Sequence, residues 1–78
     1  MTDETLTDIA ELDLPFRRRA ILREVAFESG MRMIRLVLFE GKRVTQIDLD
    51  ADAARQLGTH LLSGADSIAD SVPTDPQP

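Results

Sequence analysis

Between Phe16 and Gly64 the chain carries apolar-rich runs, interrupted at Ser29-Gly30 and at Gly41-Lys42. Runs rich in Ile, Leu, Val, Phe and Met between glycine-containing breaks read as β-strands. The spacing predicts strands over 18–28, 31–40 and 43–49. Gly41-Lys42 suits a type II′ hairpin turn, because glycine takes φ > 0 at the first central position without steric cost. Ser29-Gly30 is a weaker turn signal, compatible with a slightly longer loop. With two-residue turns at both breaks, Glu28 faces Met31 and Glu40 faces Arg43. One sheet face then gathers Ile21, Val25, Phe27, Ile34, Leu36, Leu38, Ile47 and Leu49, with Arg23 and Thr45 as the exceptions. The other face sets Glu24, Arg35 and Asp48 in one row, where opposite charges help pairing by about 0.2–1 kcal/mol.

After Leu49 the period changes. Ala54, Leu57, Gly58 and Leu61 fall on one helical stripe, which predicts a helix over 51–63. Asp50 is placed to cap it by accepting the free N–H groups of the first turn. Gly64 is placed to end it as a C′ residue. Gly58, mid-stripe, is expected to let the helix sit close on the strands. The expected fold is α+β: a three-stranded antiparallel sheet packed on one C-terminal helix, a βββα domain over 12–64. Residues 1–11 are expected to form a flexible acidic tail, since Leu6, Ile9 and Leu12 hint at a helical turn too isolated to hold. Residues 65–78, with Pro73, Pro76 and Pro78, are expected to form a second flexible tail.

Size and charge narrow the function. A chain of 78 residues allows one domain with a marginal core, so oligomerisation is the expected source of extra stability. It has no cysteine and one histidine, His60, too little to build a zinc or thiolate site. No phosphate loop, nucleophile arrangement or cofactor motif is present, so the expectation is a protein that is not an enzyme and takes no cofactor. No basic-apolar leader and no long apolar run occurs, and a bacterial-type cytoplasmic protein is the default. The net charge of -5 is unevenly distributed: all 9 bases lie between Arg17 and Arg55, and both flanks carry only acids.

One helix cannot cover both sheet faces, and the face expected opposite the helix is too apolar for a wet surface. The expected interaction face comprises Leu22, Glu24, Met33, Arg35, Val37, Phe39 and Asp48. It is expected to dock a second copy or a surface of a larger complex. The alternative is a weak nucleic-acid-binding regulator using Arg17, Arg18, Arg19, Arg32, Lys42 and Arg43, whose guanidinium and ammonium groups could neutralise phosphates.

The stretch over residues 22–62 resembles a family of short bacterial proteins of unknown function. The resemblance is carried by Ser29 to Arg32 at the hairpin, Arg35 to Leu38 in the following strand, and Asp48 to Asp50 at the helix entry. It implies the βββα pattern and brings no activity or site. More loosely, a sheet followed by one helix is similar to the dimeric single-stranded-DNA-binding transcriptional cofactors, whose four strands and lysine-rich, aromatic-bearing binding strands are not matched here.

Overall fold

The computed structural model describes residues 4–71, with side chains as far as residue 69. The chain forms β1 (Thr5–Leu14), β2 (Arg18–Ala26), β3 (Arg32–Glu40), β4 (Arg43–Leu49) and α1 (Ala51–Ser71). The sheet is an antiparallel meander in the order β1-β2-β3-β4, with α1 packed on β3 and β4. It has four strands rather than the expected three, because residues 5–11, read as part of a tail, belong to β1.

The cause is a bulge at Ile9. Asp8 pairs with Arg23 and Ala10 with Leu22, so one residue of β1 is left over. An extra residue breaks the period of two. Leu6, Ile9 and Leu12 therefore recur at a spacing of three, which mimics a helical turn. The bulge also re-aims side chains: Leu6 and Asp8 share a face with Val25 and Arg23, whereas Leu12 shares the opposite face with Ala20.

The second correction concerns the first β2–β3 turn. Gly30 N–H donates to Phe27 O at 2.9 Å, Phe27 N–H donates to Met31 O at 2.8 Å, and Gly30 has φ +96°. This is a three-residue loop, a tight turn closed by a left-handed glycine. Ile21 therefore pairs with Val37, Arg23 with Arg35 and Val25 with Met33. A slip of one residue turns every β2 side chain to the other face. Ala20, Leu22 and Glu24 stand on the helix side, and Ile21, Arg23 and Val25 stand away from it. The β3–β4 register is as expected, Glu40 opposite Arg43 and Arg35 opposite Asp48, with Gly41 at φ +60°.

Asp50 caps α1 as expected, its Oδ1 accepting from Ala53 N–H at 2.7 Å. The helix does not stop at Gly64 but runs 21 residues to Ser71. Ala65 and Ala69 favour the helix, and the stop falls shortly before Pro73, which disfavours helical backbone in the residue preceding it. Part of the expected C-terminal tail is thus helix, and the remainder, like residues 1–3, lies outside the described residues.

The β1–β2 tip, Pro15-Phe16-Arg17, carries Phe16 at φ 63° and Arg17 at φ 62°. For bulky residues the left-handed region costs about 1–2 kcal/mol each. Replacing Phe16 by glycine removes that cost against a loss of about 0.5–1 kcal/mol of chain entropy. Phe16→Gly is expected to raise the melting temperature by a few degrees, measured by circular dichroism. A lower melting temperature would show that the ring, 79% exposed, contributes to the fold.

Candidate interaction surfaces

The face away from the helix is closed by charge. One row across it reads Asp8, Arg23, Arg35, Asp48 from β1 to β4. Two arginines directly opposite would repel, and each is drawn to an acid. Arg23 Nε donates to Asp8 Oδ1 at 2.8 Å. Arg35 donates through Nε and Nη2 to the two oxygens of Asp48, at 2.8 and 3.0 Å, and through Nη1 to Glu4 at 3.3 Å. The fork geometry of guanidinium suits such paired contacts. A further pair, Arg19 with Glu11 at 3.2 Å, lies nearer the tip, where Arg19 also sits 4.7 Å over the Phe39 ring.

These pairs explain how an uncovered face can bury side chains. Val25 is 0% and Val37 6% exposed, although both stand on the side without the helix. The Arg23–Arg35 row runs between their rows, and long arginine stems shield apolar neighbours while the charged heads remain wet. The Arg35 side chain is itself only 12% exposed. The hydrogen bonds from Arg35 hold the Asp48 carboxyl below the usual carboxylate range. The bond to Asp48, with help from Glu4 and against a desolvation cost, holds Arg35 above its ordinary value.

The helix side is open instead. A groove of about 270 Å³ lies between α1 and the sheet, walled by Leu12, Leu22 and Leu36 on one side and by Leu57, Gly58 and Leu61 on the other. Helix α1 contacts β3 and β4, which leaves the β1–β2 half of this face uncovered. Leu12, Leu57 and Leu61 are 47%, 41% and 64% exposed. A Cβ on Gly58 would meet nothing within 4 Å, so this glycine does not serve the close approach expected of it.

The expected interaction face is thereby divided. Met33, Arg35, Val37, Phe39 and Asp48 share the ion-paired face, whereas Leu22 and Glu24 stand on the helix side. Glu24 pairs with Arg32 at 3.3 Å and takes no part in the Arg35 row. Of the six basic residues, Arg17, Arg18, Arg19, Lys42 and Arg43 collect at the end of the sheet formed by the β1–β2 and β3–β4 turns, and Arg32 lies at the opposite end. His60 is exposed on α1, and no group of three or more metal-ligating side chains occurs among the described residues. Among the same residues, no helix is long and apolar enough to cross a membrane. Glu4, Asp8 and Glu11 were missed as ion-pair partners, and the acid spacing on β1 could have revealed them had the bulge been placed.

A family profile matches residues 3–67, which takes in all four strands and most of α1. The chain belongs to the DUF6967 family, a family of unknown function. No curated protein matches the chain, and no solved structure does. Membership of DUF6967 therefore carries no activity across to the grooves and ion pairs described above, and their chemistry has to be read from the residues themselves.

A carboxyl with a depressed folded-state pKa stabilises above its unfolded value, about 3.9 for Asp, and that contribution is lost as pH falls through the folded pKa. Acid melts should therefore show a falling midpoint below about pH 4. In Asp48→Asn that fall is expected to be shallower, on a lower plateau at neutral pH. An unchanged acid limb in the variant would show that the Arg35 pair contributes nothing to stability. Arg35→Lys is expected to lower the neutral melting temperature, since one ammonium cannot serve Asp48 and Glu4 with the same forked geometry.

Proposed function

We propose that the protein is a non-catalytic interaction module that forms a twofold homodimer through the groove between α1 and the sheet. The observation that carries this reading is the apolar groove itself, open along β1 and β2 and bordered by half-exposed leucines. Its lining is almost wholly apolar, the kind of surface at which a partner's side chains dock. On the other face Asp8, Glu11, Arg19, Arg23, Arg35 and Asp48 are engaged with one another in ion pairs, which leaves the groove as the apolar surface open to a partner.

The second copy is favoured over a foreign partner by the pattern of α1. Taking 100° per residue, Ala54, Leu57, Gly58, Gly64, Ala65 and Ile68 lie within about 60° of Leu61 around the helix. Reversing the helix about Leu61 maps Ala54 onto Ile68, Leu57 onto Ala65 and Gly58 onto Gly64. An antiparallel twofold contact centred on Leu61 therefore sets Ile68 against Ala54 and Leu57 against Ala65, and brings Gly58 and Gly64 together where the two helices can approach closely. Neither glycine meets a neighbour that a Cβ would displace within the chain. Each costs about 1 kcal/mol in a helix interior, and close approach of a second helix would offset that cost.

Leu61, 64% exposed, can be changed with little loss to the lone chain. Leu61→Glu would bring two like charges together at the dyad. It is expected to weaken the dimer by about 100-fold or more, read by sedimentation velocity over a concentration series, with the melting temperature of the isolated chain nearly unchanged. Val37→Glu, by contrast, is expected to unfold the chain, because Val37 is buried beneath the ion pairs. A wild-type monomer at high concentration, or a Leu61→Glu variant that dimerises like wild type, would refute the proposal.

A further inference from the structure

We infer that the end of the sheet bearing the β1–β2 tip is a binding site for single-stranded nucleic acid, held through its phosphates and one stacked base. The site stands at a different place from the α1 groove and does not depend on self-association.

The first observation is where the positive charge collects. Arg17 and Lys42 lie on two adjacent turns and Arg43 opens β4 beside them, and none of the three has an acid within ion-pair distance among the described residues. Arg18 and Arg19 beside them are tied to Glu40 at 2.6 Å and Glu11 at 3.2 Å. Asp13 is the nearby acid that no arginine neutralises at ion-pair distance. Three cations against one acid leave a local positive field on a chain whose net charge is -5. The second observation is shape. A depression of about 390 Å³ at this end is lined by Arg17, Arg18, Arg19, Asp13 and Phe39, with Gly41 at its rim. The third is the pair of cation–π contacts, Arg19 over Phe39 at 4.7 Å and Arg18 over Phe16 at 5.7 Å. The fourth is the left-handed backbone at Phe16 and Arg17, which presents an exposed ring and a free cation on a strained tip. Strain of that order persists at sites where geometry serves a ligand.

These features fit a strand of phosphodiesters better than a bilayer. Phosphates meet the free cations, and unpaired bases stack on aromatic rings or on guanidinium planes. Insertion into lipid would call for several outward apolar side chains at the tip, and Phe16 is followed directly by Arg17, Arg18 and Arg19.

The test uses the full chain and a fluorescein-labelled oligothymidylate of about 12 nucleotides, read by anisotropy. Three neutralised phosphates predict a slope of log affinity on log salt of about -2, so affinity should fall roughly 20-fold between about 50 and 200 mM salt. Arg17→Gln, Lys42→Gln and Arg43→Gln together should remove most of that slope. Phe16→Gly should weaken binding about 5- to 100-fold while leaving the slope intact. Because this variant is expected to be more stable than wild type, unfolding cannot account for the loss. Arg32→Gln, at the far end of the sheet, should bind like wild type. The inference is overturned if no binding occurs at low salt, or if Arg32→Gln weakens binding as much as Arg17→Gln does. It is also overturned if phosphatidylserine vesicles bind with the same Phe16 dependence while the oligonucleotide does not.

Discussion

The loop Glu28-Ser29-Gly30 sets the register on which the rest of the molecule depends. With three residues in the loop, Gly30 in the left-handed region closes the turn and Phe27 joins Met31. Every β2 side chain follows from that choice. Leu22 is sent toward α1 to form the far wall of the groove. Arg23 is sent to the other face, opposite Arg35, where two like charges must each find an acid. A two-residue loop would have exchanged these roles and left Arg23 on the apolar wall of the groove, where its charge would have stood among leucines.

Much of the architecture was legible from local chemistry. The Gly41-Lys42 turn, the Arg35–Asp48 pairing, the Asp50 cap and the start of α1 each rest on one or two residues whose preferences are strong. The first strand was not legible, because the bulge at Ile9 changes its apolar period from two to three. The first hairpin was ambiguous, because Ser-Gly serves loops of two and of three residues. The alternative register also sorted apolar residues and charges well. The end of the helix was hidden for a different reason. Gly64 is a strong stop signal only when it takes the left-handed conformation, and here it continues the helix. For the candidate surfaces, the basic cluster was visible as a run of arginines. The groove was not, since its walls combine β1, β2 and α1.

The two faces of the sheet answer the same shortage in different ways. Among the described residues only Ala20, Val25 and Val37 count as buried apolar side chains. So small a core leaves little margin against the conformational entropy of the chain. On the outer face, arginine stems and paired carboxylates shield Val25 and Val37 within one chain. Exposed ion pairs add little free energy individually, and their larger effect is to cover Val25 and Val37. On the helix face no such lid exists. Ala20 is the one helix-side residue of β2 that is buried, and Leu12, Leu57 and Leu61 stay partly wet. Exposed apolar side chains remain on the outer face too, Leu6 at 48% and Val44 at 57%, but the continuous apolar groove lies beside α1, which argues for a partner on that side.

The acids of β1 bear on how that partner can approach. β1 and β4 are both edge strands, and an edge with free N–H and C=O groups invites another strand to pair. On β1 the bulge at Ile9 interrupts the ladder, and Asp8, Glu11 and Asp13 load the edge strand with negative charge. A second β1 placed alongside would set acid near acid, which disfavours extension of the sheet through this edge. The same carboxylates are useful within the chain, since Asp8 and Glu11 neutralise Arg23 and Arg19. An acidic segment that looks like a solubilising tail thus closes one face and defends one edge. With assembly through β1 opposed, the proposed self-association falls to the face beside α1, where apolar surface is exposed and the helix stripe is nearly its own reverse.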